Sequence, residues 1–239
     1  MAGNEKLVGV IGGMGPGATV DFMSLVLELT PAAKDQDHVR MLVEQNPRIP
    51  SRQLAMRGEG ENPGPVIASM ASRLEAAGAD FLVMPCNTAH AWQSDIVAAT
   101  SIPFISIVDE SVADAVSRSD DSSAIGLMTT PGCFAAGLYQ DAISAHNRSV
   151  IAQTGEEMTE TINFVDSIKS GDLSTEVSDG LRVLADALIK RGARILIAAC
   201  TEIPLVLNAS MFDIAVVSTT NVLAAKTVAL ARGDIPLNS

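Results

Sequence analysis

Two short stretches repeat one pattern and constrain what this chain can fold into. The first runs Phe81-Leu82-Val83-Met84-Pro85-Cys86-Asn87-Thr88-Ala89-His90, and the second runs Ile195-Leu196-Ile197-Ala198-Ala199-Cys200-Thr201-Glu202-Ile203-Pro204. In each, an apolar run of strand length stops at a cysteine, and a small hydroxyl residue follows at once or one step later. A continuous apolar run, without polar alternation, predicts a strand buried on both faces. A cysteine at the carboxyl end of such a strand lies on the edge where parallel α/β sheets bind ligands. Two of these units predict two half-domains facing one cleft.

The rest of the chain supports that frame. Strands are predicted at 6–11, 39–45 and 102–107 around the first cysteine strand, and at 124–128, 150–153 and 214–217 around the second. Helical spacing of apolar residues falls between them, at 18–29, 66–77, 87–99 and 108–117, then at 157–170, 176–191, 202–207 and 220–232. Alternating strands and helices predict an α/β fold: two Rossmann-like parallel sheets with helices on both faces, related by duplication. The polar break at 117–123 marks the boundary. It separates an N-terminal α/β domain, 1–117, carrying Cys86 from a C-terminal one, 118–239, carrying Cys200. The C-terminal helix has the option of packing back on the N-terminal domain.

Composition narrows the partners. Aromatic residues make up only 3% of the 239, so the core must be aliphatic. A net charge of −12 argues against nucleic acid or an anionic membrane, which need a basic surface. A small acidic substrate needs only one local cationic pocket. No apolar run approaches the roughly 18–20 residues of a membrane span, and the first residues lack a signal-peptide pattern. Three cysteines do not resemble a disulfide framework. These features together read as a reduced, cytoplasmic protein.

Two loops carry further chemistry. Gly12-Gly13-Met14-Gly15-Pro16-Gly17 follows the first strand, and its amides could face an anion at a helix start. Gly13-x-Gly15-x-x-Ala18 fits a relaxed dinucleotide fingerprint, but Pro16 is unusual there. The matching acidic residue, Glu44, comes later than the usual ~20 positions. Asn46-Pro47-Arg48-Ile49-Pro50-Ser51-Arg52 follows the second strand. It sets Arg52, whose planar fork matches a carboxylate, on the ligand edge.

A single buried cysteine is usually a small hydrophobe, and that describes Cys133. The pair Cys86 and Cys200 invites another reading. Each precedes polar residues that could open a helix, whose positive end would favour thiolate. Two such groups on opposite sides of one carbon could remove a proton from one face and deliver one to the other, inverting the centre. Asn87, Thr88, Thr130 and Thr201 stand just beyond strand ends as donors for the carboxylate that takes up charge. Arg52 and a lysine could hold a second carboxylate. A metal site is disfavoured because His38, His90 and His146 are scattered and no C-x-x-C occurs. A redox pair lacks the usual spacing. A cysteine hydrolase lacks a clear histidine base and leaves the second cysteine unexplained.

At these residues the chain resembles the aspartate/glutamate racemase family, nearest its aspartate racemase branch. The resemblance rests on Gly12-Gly13-Met14-Gly15-Pro16, Asp35-Gln36-Asp37-His38, Asn46-Pro47-x-Ile-Pro-x-Arg52, Pro85-Cys86-Asn87-Thr88-Ala89-His90 and Cys200-Thr201-Glu202-Ile203-Pro204. It implies a cofactor-independent amino-acid racemase with no metal. It further implies two pseudo-symmetric α/β domains, an active site in the cleft between them, and a homodimer. Cys86 and Cys200 would be the catalytic acid/bases, with Arg52 and Lys169 holding the side-chain carboxylate. Met14, Asn87, Thr88, Thr130 and Thr201 would line the substrate pocket. Ser51, Arg48 and Ala199 depart from the common pattern; none removes a catalytic group, and the first two bear on substrate choice. The reading is therefore racemisation of an acidic amino acid, aspartate or glutamate. The alternatives are a non-catalytic binder of acidic ligands on the same fold and another superfamily reaction such as maleate isomerisation.

Overall fold

The structure, a computed structural model, describes residues 5–120 and 122–237. Of the stretches read above, residues 1–4 of the N-terminus and Asp121 of the polar break lie outside them.

Strands β1 (Val8–Gly12), β2 (Met41–Gln45), β3 (Phe81–Val83) and β4 (Phe104–Ile105) form one parallel sheet in the order β2-β1-β3-β4. Strands β5 (Ile125–Thr129), β6 (Val150–Ala152), β7 (Ile195–Ala199) and β8 (Ala215–Ser218) form a second in the order β6-β5-β7-β8. The two sheets repeat one topology, and the cysteine strands β3 and β7 hold equivalent interior places. The helices are α1 (Pro16–Leu29), α2 (Arg52–Met56), α3 (Gly64–Ala76), α4 (Gln93–Ala99) and α5 (Ile107–Ser117), then α6 (Pro131–Ala135), α7 (Leu138–Ala145), α8 (Gly155–Lys169), α9 (Thr175–Lys190) and α10 (Thr219–Arg232).

Alternation along the strands builds three apolar layers. Phe81 and Val83 of β3, with Ile195 and Ile197 of β7, join one core that also takes Phe22 of α1, Val112 of α5 and Leu223 of α10. That core is common to both sheets, and α10 packs on α1 and α5. The alternate residues face outward. Leu82 joins a cluster with α3 and α4 that ends at Cys86. Leu196 and Ala198 join a cluster with α8 and α9 that ends at Cys200. Each fully buried aliphatic side chain contributes about 1.5–3 kcal/mol, so both cysteines sit at the rim of a rigid layer.

Several boundaries differ from the sequence reading, each for a local reason. The strand expected over 102–107 is only Phe104–Ile105, because Ser106 caps α5 by accepting the Asp109 amide at 3.2 Å. Residues 88–92 and 203–205 form tight 3-10 turns rather than α-helical starts, the second containing Pro204. Arg52 opens the short helix α2 rather than ending a loop.

One glycine fixes how the first two loops meet. Gly13 has φ of +98°, and a Cβ there would run into the backbone of Asn46. The close approach holds the end of β2, and so the segment leading to Arg52, against the end of β1.

Candidate functional site

A cavity of about 530 Å³ opens at the carboxyl ends of the strands, between the two sheets. Cys86 and Cys200 both line it. So do Met14, Asn87 and Thr88 from the first half, and Thr130 and Thr201 from the second. Arg52 and Lys169 reach it from α2 and α8. A smaller cavity of about 250 Å³ runs along the glycine loop and shares Arg52, Lys169 and Glu202 with it.

The two thiols are almost shut off from bulk water, at 6% and 9% exposure. Burial disfavours a charged sulfur and pushes both pKa values above the ordinary thiol value. This corrects the expectation that helix ends would lower them: short 3-10 turns follow the cysteines, and dehydration outweighs their dipoles. The two environments then diverge. Burial on Cys86 is opposed next by the positive charge of Arg52. Burial on Cys200 is reinforced by the Glu202 carboxylate, which holds the pKa well above its usual value. Cys200 Sγ donates to Glu202 Oε2 at 3.1 Å, a contact that needs the thiol protonated.

Glu202 is itself 4% exposed. Its Oε2 also accepts from Thr201 Oγ1 at 3.2 Å, while Oε1 has no hydrogen-bond partner among the described residues. Because the Thr201 proton is committed to Glu202, Thr201 offers lone pairs to the cavity. It suits an ammonium group better than the carboxylate it was expected to hold. Glu202 also faces Gly15 across the glycine loop, and the Gly13 amide is taken by Thr19 Oγ1 at 2.9 Å. A carboxylate at that loop and an occupied amide do not fit a phosphate.

Burial alone would lower the pKa of Lys169, but the Glu202 carboxylate and then Cys200 raise it, and the net direction is upward. The ammonium is therefore charged. Arg52 Nη1 donates to the carbonyls of Ile49 and Pro50 at 3.3 and 3.1 Å, which anchors the guanidinium on its own loop.

Asn87 is held from the opposite half. Tyr139 donates its hydroxyl to Asn87 Oδ1 at 2.5 Å, and Asn87 Nδ2 donates to Thr219 Oγ1 at 3.1 Å. Oriented this way, the amide keeps its second N–H for a ligand. Thr130 Oγ1 accepts from Gln53 Nε2 at 2.9 Å and lies 3.5 Å from Thr88 Oγ1.

His90 is not a base for Cys86. Its Nδ1 donates to the Cys86 carbonyl at 2.8 Å, and its Nε2 accepts the Ile107 amide at 3.1 Å. Burial lowers its pKa to about 4, so the ring is neutral. Cys133 is buried and pushed up to about 12, an inert core thiol. Among the described residues no three His, Cys, Asp or Glu side chains gather as metal ligands.

Glu202, Gln53 and Tyr139 are the residues that sequence reasoning missed as partners. Only Glu202 had a signal, its place two positions after Cys200.

Two parallel sheets of one topology, each delivering a cysteine to a shared cavity with cations beside it, define a two-halved α/β protein with one central site. The Asp/Glu/Hydantoin racemase family model matches residues 11–227. The chain belongs to that family, and with it to the isomerases. It is 26% identical over 229 residues to the broad specificity amino-acid racemase RacX of Bacillus subtilis, covering 93% of this chain and 96% of that one. Among solved structures it resembles the Picrophilus torridus aspartate racemase, with a TM-score of 0.84 and 28% identity over 95% of this chain and 94% of the other. The glutamate racemase RacE1 of Bacillus anthracis shares the fold, with a TM-score of 0.70 and 18% identity over 99% and 85% of the chains.

Proposed function

We propose that this enzyme racemises an acidic amino acid, aspartate with glutamate as a second substrate, by proton transfer between Cys86 and Cys200. One observation carries the reading: thiols from the matching ends of β3 and β7 line one cavity together with Arg52 and Lys169. Two of its relatives, an aspartate racemase and a broad specificity amino-acid racemase, agree with this substrate range.

The side-chain carboxylate binds Arg52 and Lys169, and the α-carboxylate accepts from Asn87, Thr88 and Thr130. The α-ammonium meets Thr201 and the Glu202 carboxylate. Cys86, drawn down by Arg52, acts as thiolate once the substrate ammonium adds positive charge to the cavity. Its sulfur takes the α-proton: an S–H bond forms, the Cα–H bond breaks, and the electron pair moves onto the α-carboxylate. Cys200, kept protonated beside Glu202, gives its proton to the opposite face of Cα. The product leaves with inverted configuration, and the cysteines have exchanged protonation states. No electron is gained or lost, and no external reactant is required.

L-Aspartate incubated with the protein without pyridoxal phosphate should yield D-aspartate by chiral chromatography, with solvent deuterium at Cα. Absence of product from every acidic amino acid overturns the substrate class. Cys86→Ser and Cys200→Ser should each lower the racemisation rate about 10²–10⁴-fold, while each keeps deuterium exchange on one enantiomer. Full activity in either variant rules out the two-base scheme. The same reading carries domains 1–117 and 118–239 in a cytoplasmic homodimer, and light scattering in solution tests the dimer.

A further inference from the structure

We infer that Gln53 is a positioning residue: it latches helix α2 across the cavity, holds Arg52 at a fixed reach, and so sets the side-chain length of the acidic substrate. The inference rests on the function proposed above.

Helix α2 spans five residues and has no buried residue. It packs on α6 and on the turn at 88–92. Such an element belongs to the low end of local stability, yet it carries Arg52 at its first position. Gln53 compensates with two bonds to the other half. Its Nε2 donates to Thr130 Oγ1 at 2.9 Å, and its Oε1 accepts the Gly132 amide at 2.8 Å. The fit is close: a Cβ on Gly132 would lie 2.5 Å from Gln53 Oε1. One amide thus ties the start of α2 to the start of α6, whose cap Thr130 lines the same cavity as Arg52.

The latch has two chemical effects. It fixes the separation between Arg52, on the first sheet's side, and the ligands on the second. It also occupies a lone pair of Thr130, which turns the Thr130 hydroxyl proton away from Gln53 and toward the cavity or Thr88. Together these define the distance between the side-chain and α-carboxylates that the site accepts. One methylene is worth about 10–200-fold in discrimination when a pocket is rigid.

The test uses Gln53→Leu, which removes both bonds, and Gly132→Ala, which displaces the latch with Gln53 intact. Both should melt within about 5 °C of the wild type, since no residue of α2 is fully buried. Racemisation of aspartate and glutamate is measured for each. The wild-type ratio of kcat/KM for the two substrates should differ from one by at least about tenfold, and in both variants it should move at least about tenfold toward one. A wild-type ratio already near one, or unchanged ratios in the variants, overturns the length-setting role. Hydrogen exchange gives an arm that needs no turnover. The amides of Ala55 and Arg57, bonded to Ser51 and Leu54 in α2, should exchange at least about tenfold faster in both variants. Unchanged exchange overturns the latch whether or not any amino acid is racemised. Faster exchange with no racemisation of either substrate by the wild type places the failure in the proposed function and leaves the latch standing.

Discussion

Mild acid should loosen the Cys86 end of the first sheet through a single ring. His90 is 1% exposed and spans two backbone groups: Nδ1 donates to the Cys86 carbonyl, and Nε2 accepts from the Ile107 amide. A second proton could go only on Nε2, where it would face another N–H. Burial sets the folded pKa at about 4, against an ordinary 6.5. The folded value lies below the unfolded one, so the unfolded chain takes the proton first. The contribution is complete above pH 6.5, declines as pH falls, and is lost once pH passes below about 4. The full span corresponds to about 3 kcal/mol, and most of it is gone at pH 4.5. That is a large share of a typical stability of 5–15 kcal/mol. Urea unfolding of the wild type and His90→Gln at pH 7.5 and 4.5 measures it. Glutamine supplies one donor and one acceptor but does not titrate, and carboxylate effects common to both proteins cancel in the difference. The variant should be less stable at pH 7.5 by about 1–2 kcal/mol, and at pH 4.5, where the wild type has lost about 2–3 kcal/mol that the variant keeps, the two should be equal or in reverse order. A gap that stays constant with pH would refute the argument, because the wild-type ring would then titrate alike in both states.

Three further outcomes follow from the site and its frame. Inactivation by iodoacetamide without substrate should rise about tenfold per pH unit from pH 7 to 8.5, and peptide mapping should find Cys86 labelled ahead of Cys200; a flat profile or the reverse order contradicts the roles given to Arg52 and Glu202. Arg52→Lys should lower kcat/KM for aspartate about 10–100-fold, because an ammonium cannot grip a carboxylate with two parallel bonds; an unaffected value removes Arg52 from carboxylate binding. Gly13→Ala should cost more than about 3 kcal/mol or prevent folding, through positive φ and collision with Asn46. Gly58→Ala, with positive φ but open space around it, should cost only about 1 kcal/mol, and equal losses in denaturant melts would count against the packing argument.

The parts legible from the chain alone were those in which a local pattern reports a local cause. Burial on both faces leaves β3 and β7 no polar alternation, so each reads as an unbroken apolar run whose end marks the ligand edge. Helix α2 left no such trace, because five residues without a buried face have no periodicity to detect. The contacts that shape the site were illegible for another reason. Gln53 and Thr130 are 77 positions apart, and Tyr139 and Asn87 are 52 apart; nothing in either neighbourhood announces the other. The thiols show most clearly how a local reading fails. Cys86 and Cys200 look alike in sequence, each an apolar run followed by polar residues, and a helix end of that kind is worth at most about 2 kcal/mol. Burial acts in the opposite direction and is the larger influence on both. What then separates the pair is the charge that other parts of the fold bring: Arg52 pulls one thiol down, and Glu202, turned back onto Cys200, pushes the other up. Duplicated strands thus supply two equivalent sulfurs, while unequal neighbours give the two thiols different proton affinities before any ligand enters.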